Sequence, residues 1–274
     1  MSRYNIMSVQ KVEGKTDKIR LLQALIEDGM RIFATDYVKE IAQDLGIAPE
    51  YTLHAISSLI RDGWLSPIRK GVYKLSASTG ISPIHEFEIA MHLVSPAMIS
   101  YYSAFYHHGL TEQVPKIVYI STQKRGSIPQ EGRLGRQAGF NLEGIDYQIV
   151  QLKPEKFFGG IPSWRGESRF LVSDLERTLA EGFASPQYCG GFSEVMHGLG
   201  ESLQKVNIDK LIDYAKRWDI AVSRRVGWAL EQLGIENEQS LSLAQTEHPG
   251  YRRLDPSREA KGAYSNKWRL QINS

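Results

Sequence analysis

FATDYVKEIAQDLGIAPEYTLHAISSLIRDGWLSPIRKGVYKL, residues Phe33 to Leu75, is the stretch whose reading decides the fold. Thr35 can cap a helix whose apolar positions Val38, Ile41, Ala42 and Leu45 follow the i, i+3, i+4, i+7 spacing of one buried face. Gly46 stops that helix and lets the chain reverse. Pro49 fits the first turn of the next helix, where its missing N–H would have no partner anyway. The spacing predicts that this second helix buries Leu53, Ile56, Leu59 and Ile60. Its opposite face then carries Tyr51, His54 and Ser58, with Thr52 and Arg61 on the flanks, and Asp62-Gly63 ends it. Trp64–Ile68 and Val72–Leu75 read as short strands around an Arg69-Lys70-Gly71 tip, where glycine supplies a positive φ. Helix, turn, helix and basic ribbon is the order of a winged helix-turn-helix. The second helix would enter a DNA major groove and the wing would touch phosphate or the minor groove. The competing reading is a small three-helix scaffold with a merely solvated Arg69-Lys70 tip.

Upstream, Thr16–Asp28 predicts a helix with Ile19, Leu22, Leu25 and Ile26 on one face, and Arg31–Phe33 a brief strand that joins the wing. Downstream, Ser76–Ser82 has a small, polar linker composition. The expected division is therefore a DNA-binding domain over 1–78 and a larger domain over 83–274. At 274 residues the chain has room for both. A net charge of +2 means that any nucleic-acid binding comes from local patches rather than a basic surface overall. The single cysteine, Cys189, excludes an intramolecular disulfide framework and suits a reducing cytoplasm. No apolar run is long enough to span a membrane, and Met1–Gln10 lacks the apolar core of a signal peptide.

The larger part reads as α+β. Helices are expected from Pro83 and over Ile99–His108, the latter rich in Tyr101, Tyr102, Phe105 and Tyr106 and closed by Gly109. A small sheet follows: Lys116–Ser121, a hairpin of Phe140–Leu142 with Asp146–Leu152 around Glu143-Gly144, then Lys156–Phe158 and Ser168–Val172. Gly159–Gly166, with Trp164 and Arg165, reads as a loop. Helices return over Asp174–Phe183, Phe192–Leu203, Ile208–Trp218 and Arg224–Leu233, with Asn207 and Ser223 as caps and Arg177 as a buried organiser of helix against sheet. The tail from Tyr251 has six basic residues against two acidic ones, and its Trp268–Ile272 alternation can add a strand.

Catalytic and metal chemistry find little support. His85 and His92 lie two helical turns apart, His107-His108 are adjacent and diverge, and one cysteine cannot anchor a structural zinc. Cys189 lies on a turn near no evident base, and no nucleophile elbow, P-loop or HExxH motif occurs. No cofactor, metal or catalytic residue is expected. Lys124, Arg125, Arg133 and Arg136 form a glycine-flanked basic loop that is either solvated or a second phosphate-contacting surface.

The segment 33–75, the run Ser82–Ala90 (SPIHEFEIA), Ser100–Leu110 (SYYSAFYHHGL), Ser173–Leu179 (SDLERTL) and Tyr188–Gly191 (YCGG) together resemble the abortive-infection type IV antitoxins. The likeness spans about residues 15–235; the chain after Leu233 has no counterpart. It implies a winged helix-turn-helix followed by an α/β antitoxin domain with a small sheet and a C-terminal helical part. It implies autorepression through inverted repeats in the promoter, and opposition, direct or indirect, to a nucleotidyltransferase toxin encoded next door. The expected DNA contacts are Tyr51, Thr52, His54, Ser58, Arg61, Arg69 and Lys70, extended by Lys124, Arg125, Arg133 and Arg136. The alternatives are an interaction module that uses Tyr101, Tyr102, Phe105 and Tyr106, and an enzyme with its site in residues 83–235.

Overall fold

The computed structural model describes residues 16–123, 133–134, 137–245 and 248–273. The chain divides into two compact units, Met1–Ile84 and His85–Ser274. Helices and mixed sheets make it an α+β protein.

The first unit begins with α1 (Asp17–Glu27), β1 (Ile32–Ala34), α2 (Thr35–Asp44) and α3 (Pro49–Arg61). β2 (Leu65–Arg69) and β3 (Val72–Leu75) follow, and the sheet order is β1-β3-β2, antiparallel throughout. Gly46, at φ 69°, ends α2: Ile47 N–H returns to the Ala42 carbonyl at 2.8 Å, which lets α3 start three residues later. Leu21, Leu25, Val38, Ala55 and Leu59 meet in the core with Phe33, Leu65 and Leu75 from the sheet. Two expectations are corrected. Thr35 does not cap α2 but is its first residue, and its N–H and hydroxyl both donate to the Gly71 carbonyl, at 2.9 and 3.2 Å. The inward stripe of α3 is Thr52, Ala55, Ile56 and Leu59, so Leu53 is 54% exposed. The helix is turned by about one residue from its expected setting.

The second unit opens with α4 (Glu86–Leu93), which starts later than expected because His85 caps it: its ring Nδ1 accepts from Phe87 N–H. Met98–Ile99 forms β4 rather than the first turn of a helix. α5 (Tyr101–His108) begins after it with Tyr101 at φ 53°. β5 (Ile117–Thr122), β6 (Arg133–Leu134), β7 (Gln137–Leu142) and β8 (Ile145–Gln151) come next, the last two joined by Glu143-Gly144 with both φ positive, a type I′ hairpin. Lys156–Phe158 is not a strand, because Pro154–Lys156 turns as a 3-10 helix. The segment expected to loop is instead β9 (Gly160–Arg165), paired along its length with β10 (Ser168–Ser173). Among the described residues the sheet has seven strands in the order β6-β7-β8-β5-β4-β10-β9, larger than expected.

α6 (Leu175–Ala184), α7 (Phe192–Ser202), α8 (Ile208–Trp218), α9 (Ile220–Gln232) and α10 (Glu238–Ser242) complete the helical part. Asn207 caps α8 as expected. α9 starts four residues before Arg224, because the Asp219 carboxylate accepts from Ala221 and Val222 N–H; Ser223 is not its cap. The tail closes as a three-stranded sheet of β11 (Arg252–Arg253), β12 (Ala263–Ser265) and β13 (Leu270–Ile272), ordered β11-β13-β12.

Three half-buried imidazoles give the second unit a pH dependence. His107 Nε2 lies 3.1 Å from the Ser163 hydroxyl, and His108 Nε2 lies 2.7 Å from the Ser173 carbonyl. Burial, then His108 and Arg165, push the His107 pKa down to about 4; burial lowers His85 and His108 as well. The unfolded chain binds protons near the ordinary imidazole pKa while the folded chain does not. Stability is therefore complete above pH ~6.5 and falls as the pH drops toward ~4. Allowing for solvent screening, His107 contributes about 1–2 kcal/mol of that loss. Urea midpoints at neutral and mildly acid pH measure it. His107→Leu is expected to flatten the slope, and an unchanged slope would refute this assignment.

Candidate nucleic-acid interface

α3 is amphipathic, and its solvent face is Glu50, Tyr51, Leu53, His54, Ser57 and Arg61. The rings of Tyr51 and His54 stand 6.0 Å apart on adjacent turns, both exposed. Together they offer a hydroxyl, an imidazole and, at Arg61, a guanidinium, all able to bond base edges or phosphate oxygens. Arg61 also donates to the Ser58 hydroxyl at 3.2 Å.

Two expected contact residues point the other way. Thr52 is 1% exposed and its hydroxyl closes on the Ala48 carbonyl at 3.3 Å. Ser58 is 8% exposed; its hydroxyl accepts from Arg61 and from the Lys18 ammonium, which also pairs with Asp62. Ser58 therefore ties α1 to the end of α3. Ser57 was missed, although it sits at i+3 from His54 and i−4 from Arg61, which puts it on their face.

The β2–β3 hairpin has its tip at Lys70-Gly71. Gly71 takes φ 74°, and its carbonyl is the one that Thr35 holds, so the tip is pinned to the first turn of α2. Lys70 is exposed and Arg69 half-buried. Charge is unevenly placed along this unit: from Arg61 to Leu75 there are four basic residues and one acidic, while α2 carries Asp36, Glu40 and Asp44 against Lys39. The end of α3 and the hairpin thus form the cationic part. Lys124, Arg125 and Arg136 of the expected basic loop lie outside the described residues; Arg133 begins β6, of which only the backbone is described.

The second unit holds the other concavity of note, a cleft of ≈ 530 Å³ whose wall includes Lys156, Tyr188, Asp219 and Arg225. Its ionised groups already serve the fold: Lys156 pairs with Asp219 at 2.9 Å, and Arg225 donates to the Phe183 and Arg253 carbonyls. Cys189 is fully buried, and burial holds its thiol well above the ordinary pKa. Tyr101 and Phe105 are core residues, whereas Tyr102 and Tyr106 are half-buried, so the four rings do not form one exposed face. Among the described residues no group of His, Cys, Asp and Glu could hold a metal ion, and no helix is long and apolar enough to cross a membrane.

No protein-family model matches the chain, and no curated protein matches it. Among solved structures, the RV2827C protein from Mycobacterium tuberculosis is similar to it over 93% of this chain and 91% of that one, with a TM-score of 0.61 and 15% sequence identity. At that identity the likeness establishes a shared α+β fold that takes in both units of the chain.

Proposed function

We propose that the first unit is a winged helix-turn-helix and that the chain is a cytoplasmic, DNA-binding autorepressor and antitoxin of an abortive-infection type IV toxin–antitoxin system. The carrying observation is the pairing of an exposed Tyr51–His54–Arg61 face on the second helix of an α2–Gly46–α3 turn with a basic hairpin tip bonded to α2. α3 reads base edges through Tyr51, His54 and Ser57, while Arg61, Arg69 and Lys70 hold phosphates. The cognate toxin is a nucleotidyltransferase, restrained directly or indirectly by the second unit.

The test is titration of the full chain onto the inverted repeats upstream of its own gene across a salt series. Arg69→Ala with Lys70→Ala is expected to weaken binding alike at all sequences, and to flatten the log–log salt dependence by about two contacts. His54→Ala is expected to cost about ten-fold on the operator and far less on random duplex. Ser58→Ala, placed inside, leaves affinity within about two-fold once its modest stability cost is allowed for. Full affinity in the Arg69/Lys70 pair would count heavily against wing contacts. Co-expression with the adjacent nucleotidyltransferase tests the antitoxin half: growth restored by the full chain supports it, and toxicity left unchanged refutes it. Leu53, exposed beside Tyr51, favours a second reading in which this face docks a protein; there Leu53→Ala would matter more than the salt concentration.

A further inference from the structure

The tail sheet carries a surface unlike the rest of the second unit. Its register sets Arg253 of β11, Gln271 of β13 and Tyr264 of β12 abreast. Side chains alternate along a strand, so Leu254 and Leu270, both fully buried, define the inner face, and Tyr251, Arg253, Gln271 and Tyr264 the outer one. On that outer face Tyr251 and Tyr264 meet edge to face at 4.9 Å, and the Arg269 guanidinium stands 6.0 Å from the Tyr251 ring centre. Tyr264 is 60% and Tyr251 38% exposed, a costly placement for rings that serve only the fold.

The charges around these rings are unbalanced. The other cations of the tail have carboxylate partners: Arg258 with Asp255, Lys261 with Glu259, and Lys267 with Glu231 and Glu236. Arg252, Arg253 and Arg269 have none within ion-pair distance among the described residues. Arg253 and Arg269 donate only to carbonyls, of Arg258 and Pro249. Burial, then the nearness of Arg252 and Arg269, pull the underlying Arg224 guanidinium below its ordinary pKa, as expected where like charges converge.

Exposed aromatic rings set among uncompensated arginines on a sheet face match the chemistry of an unpaired polynucleotide. Unstacked bases reward an aromatic surface, and the phosphates take the arginines. A duplex keeps its base faces to itself, and would gain only the charge. We propose that the outer face of β11-β13-β12 binds single-stranded RNA, with bases on Tyr251 and Tyr264 and phosphates at Arg253 and Arg269. RNA is the single strand a cell offers in quantity, and the amides of Gln271 and Asn266, the latter already bonded by the Tyr251 hydroxyl, flank the rings where they can meet a ribose 2′-hydroxyl.

The experiment is fluorescence anisotropy of the full chain with a labelled oligouridylate of about 12 nucleotides, beside the matching oligothymidylate and an RNA duplex of equal length. The single-stranded RNA is expected to bind about ten-fold tighter than either. Tyr251→Ala and Tyr264→Ala are each expected to weaken it about five-fold or more, and Tyr264→Phe to leave it within about two-fold. Since both rings are exposed, melting curves of these variants should match the parent. Arg69→Ala with Lys70→Ala should leave RNA binding unchanged, which separates this site from the operator-reading face. Three results would each overturn the proposal: equal affinity for duplex, equal affinity for oligothymidylate, or parental affinity in the Tyr251→Ala/Tyr264→Ala double variant.

Discussion

Arg177→Met is expected to destabilise the second unit by about 3–5 kcal/mol, the cost of leaving one member of a buried ion pair behind. Arg177 and Glu181 sit one turn apart on α6, both side chains wholly buried, joined at 2.8 Å. The guanidinium also donates to the Lys156 carbonyl at 2.7 Å and stands 4.7 Å from the Phe158 ring and 5.2 Å from that of Trp218. It thereby fastens α6 to the turn after β8 and to the end of α8. On the other side, Glu181 accepts from the backbone N–H of Tyr101 at 3.3 Å, where α5 begins in a left-handed conformation. Burial raises the Glu181 pKa, and Arg177 opposes that rise. Methionine fills most of the arginine volume but offers no charge, so the carboxylate must either stay ionised in the core or take up a proton and lose its best donor. Glu181→Met is expected to be comparably costly, because it strands the cation. The double change to two methionines should recover much of the loss, since apolar replacement of a buried pair is often close to neutral. Urea unfolding of the four proteins, followed on the transition of the second unit, measures the cycle. A single-variant loss below about 1 kcal/mol, or additivity, would show that the pair is not the joint described here.

The buried role of Arg177 was legible in the sequence; its partners were not. An arginine among Leu175, Thr178 and Leu179 declares an inward position, but Glu181, Lys156 and Trp218 converge on it from three elements. The same split runs through the molecule. Ile208–Trp218 was read to the residue because its apolar spacing and Asn207 cap agree. β9 was read as a loop because Gly160 and Pro162 carry loop chemistry, yet an edge strand tolerates proline and β9 pairs on one side only. In α3 the polar character of Thr52 and Ser58 misled: a hydroxyl that bonds its own helix carbonyl or a neighbouring cation can be buried at little cost. The leucine chosen for the core in their place, Leu53, faces solvent, while Tyr51, His54 and Arg61 stand where the periodicity put them. The tail strand was foreseen from alternation in Trp268–Ile272, but not what holds it, because that contact lies about forty residues away along the chain.

That contact makes Gly227→Ala strongly destabilising. Alanine in mid-helix ordinarily gains up to about 1 kcal/mol over glycine. Here a Cβ on Gly227 would lie 2.1 Å from Cζ3 and 2.5 Å from Cη2 of Trp268, whose ring is 1% exposed and among the largest buried groups in the fold. No flexible chain end is at hand to yield; the whole indole must leave its slot against α9. Its N–H donates to Glu231, also on α9, so eviction forfeits that bond together with the burial of the ring. Losing a buried tryptophan costs about 3–5 kcal/mol, which outweighs the propensity gain and leaves a net loss of about 2–4 kcal/mol. Because Trp268 lies two residues before β13, the central strand of the tail sheet, the effect should reach the edges of that sheet. Amide exchange across residues 252–272 is expected to quicken more than exchange in α6 or the seven-stranded sheet. Trp268→Phe offers the control: the smaller ring makes room, so Gly227→Ala should cost much less in that background, a coupling that a double-mutant cycle reads directly. Equal costs in the two backgrounds, or a stabilised Gly227→Ala, would mean that the indole does not rest on α9 at Gly227.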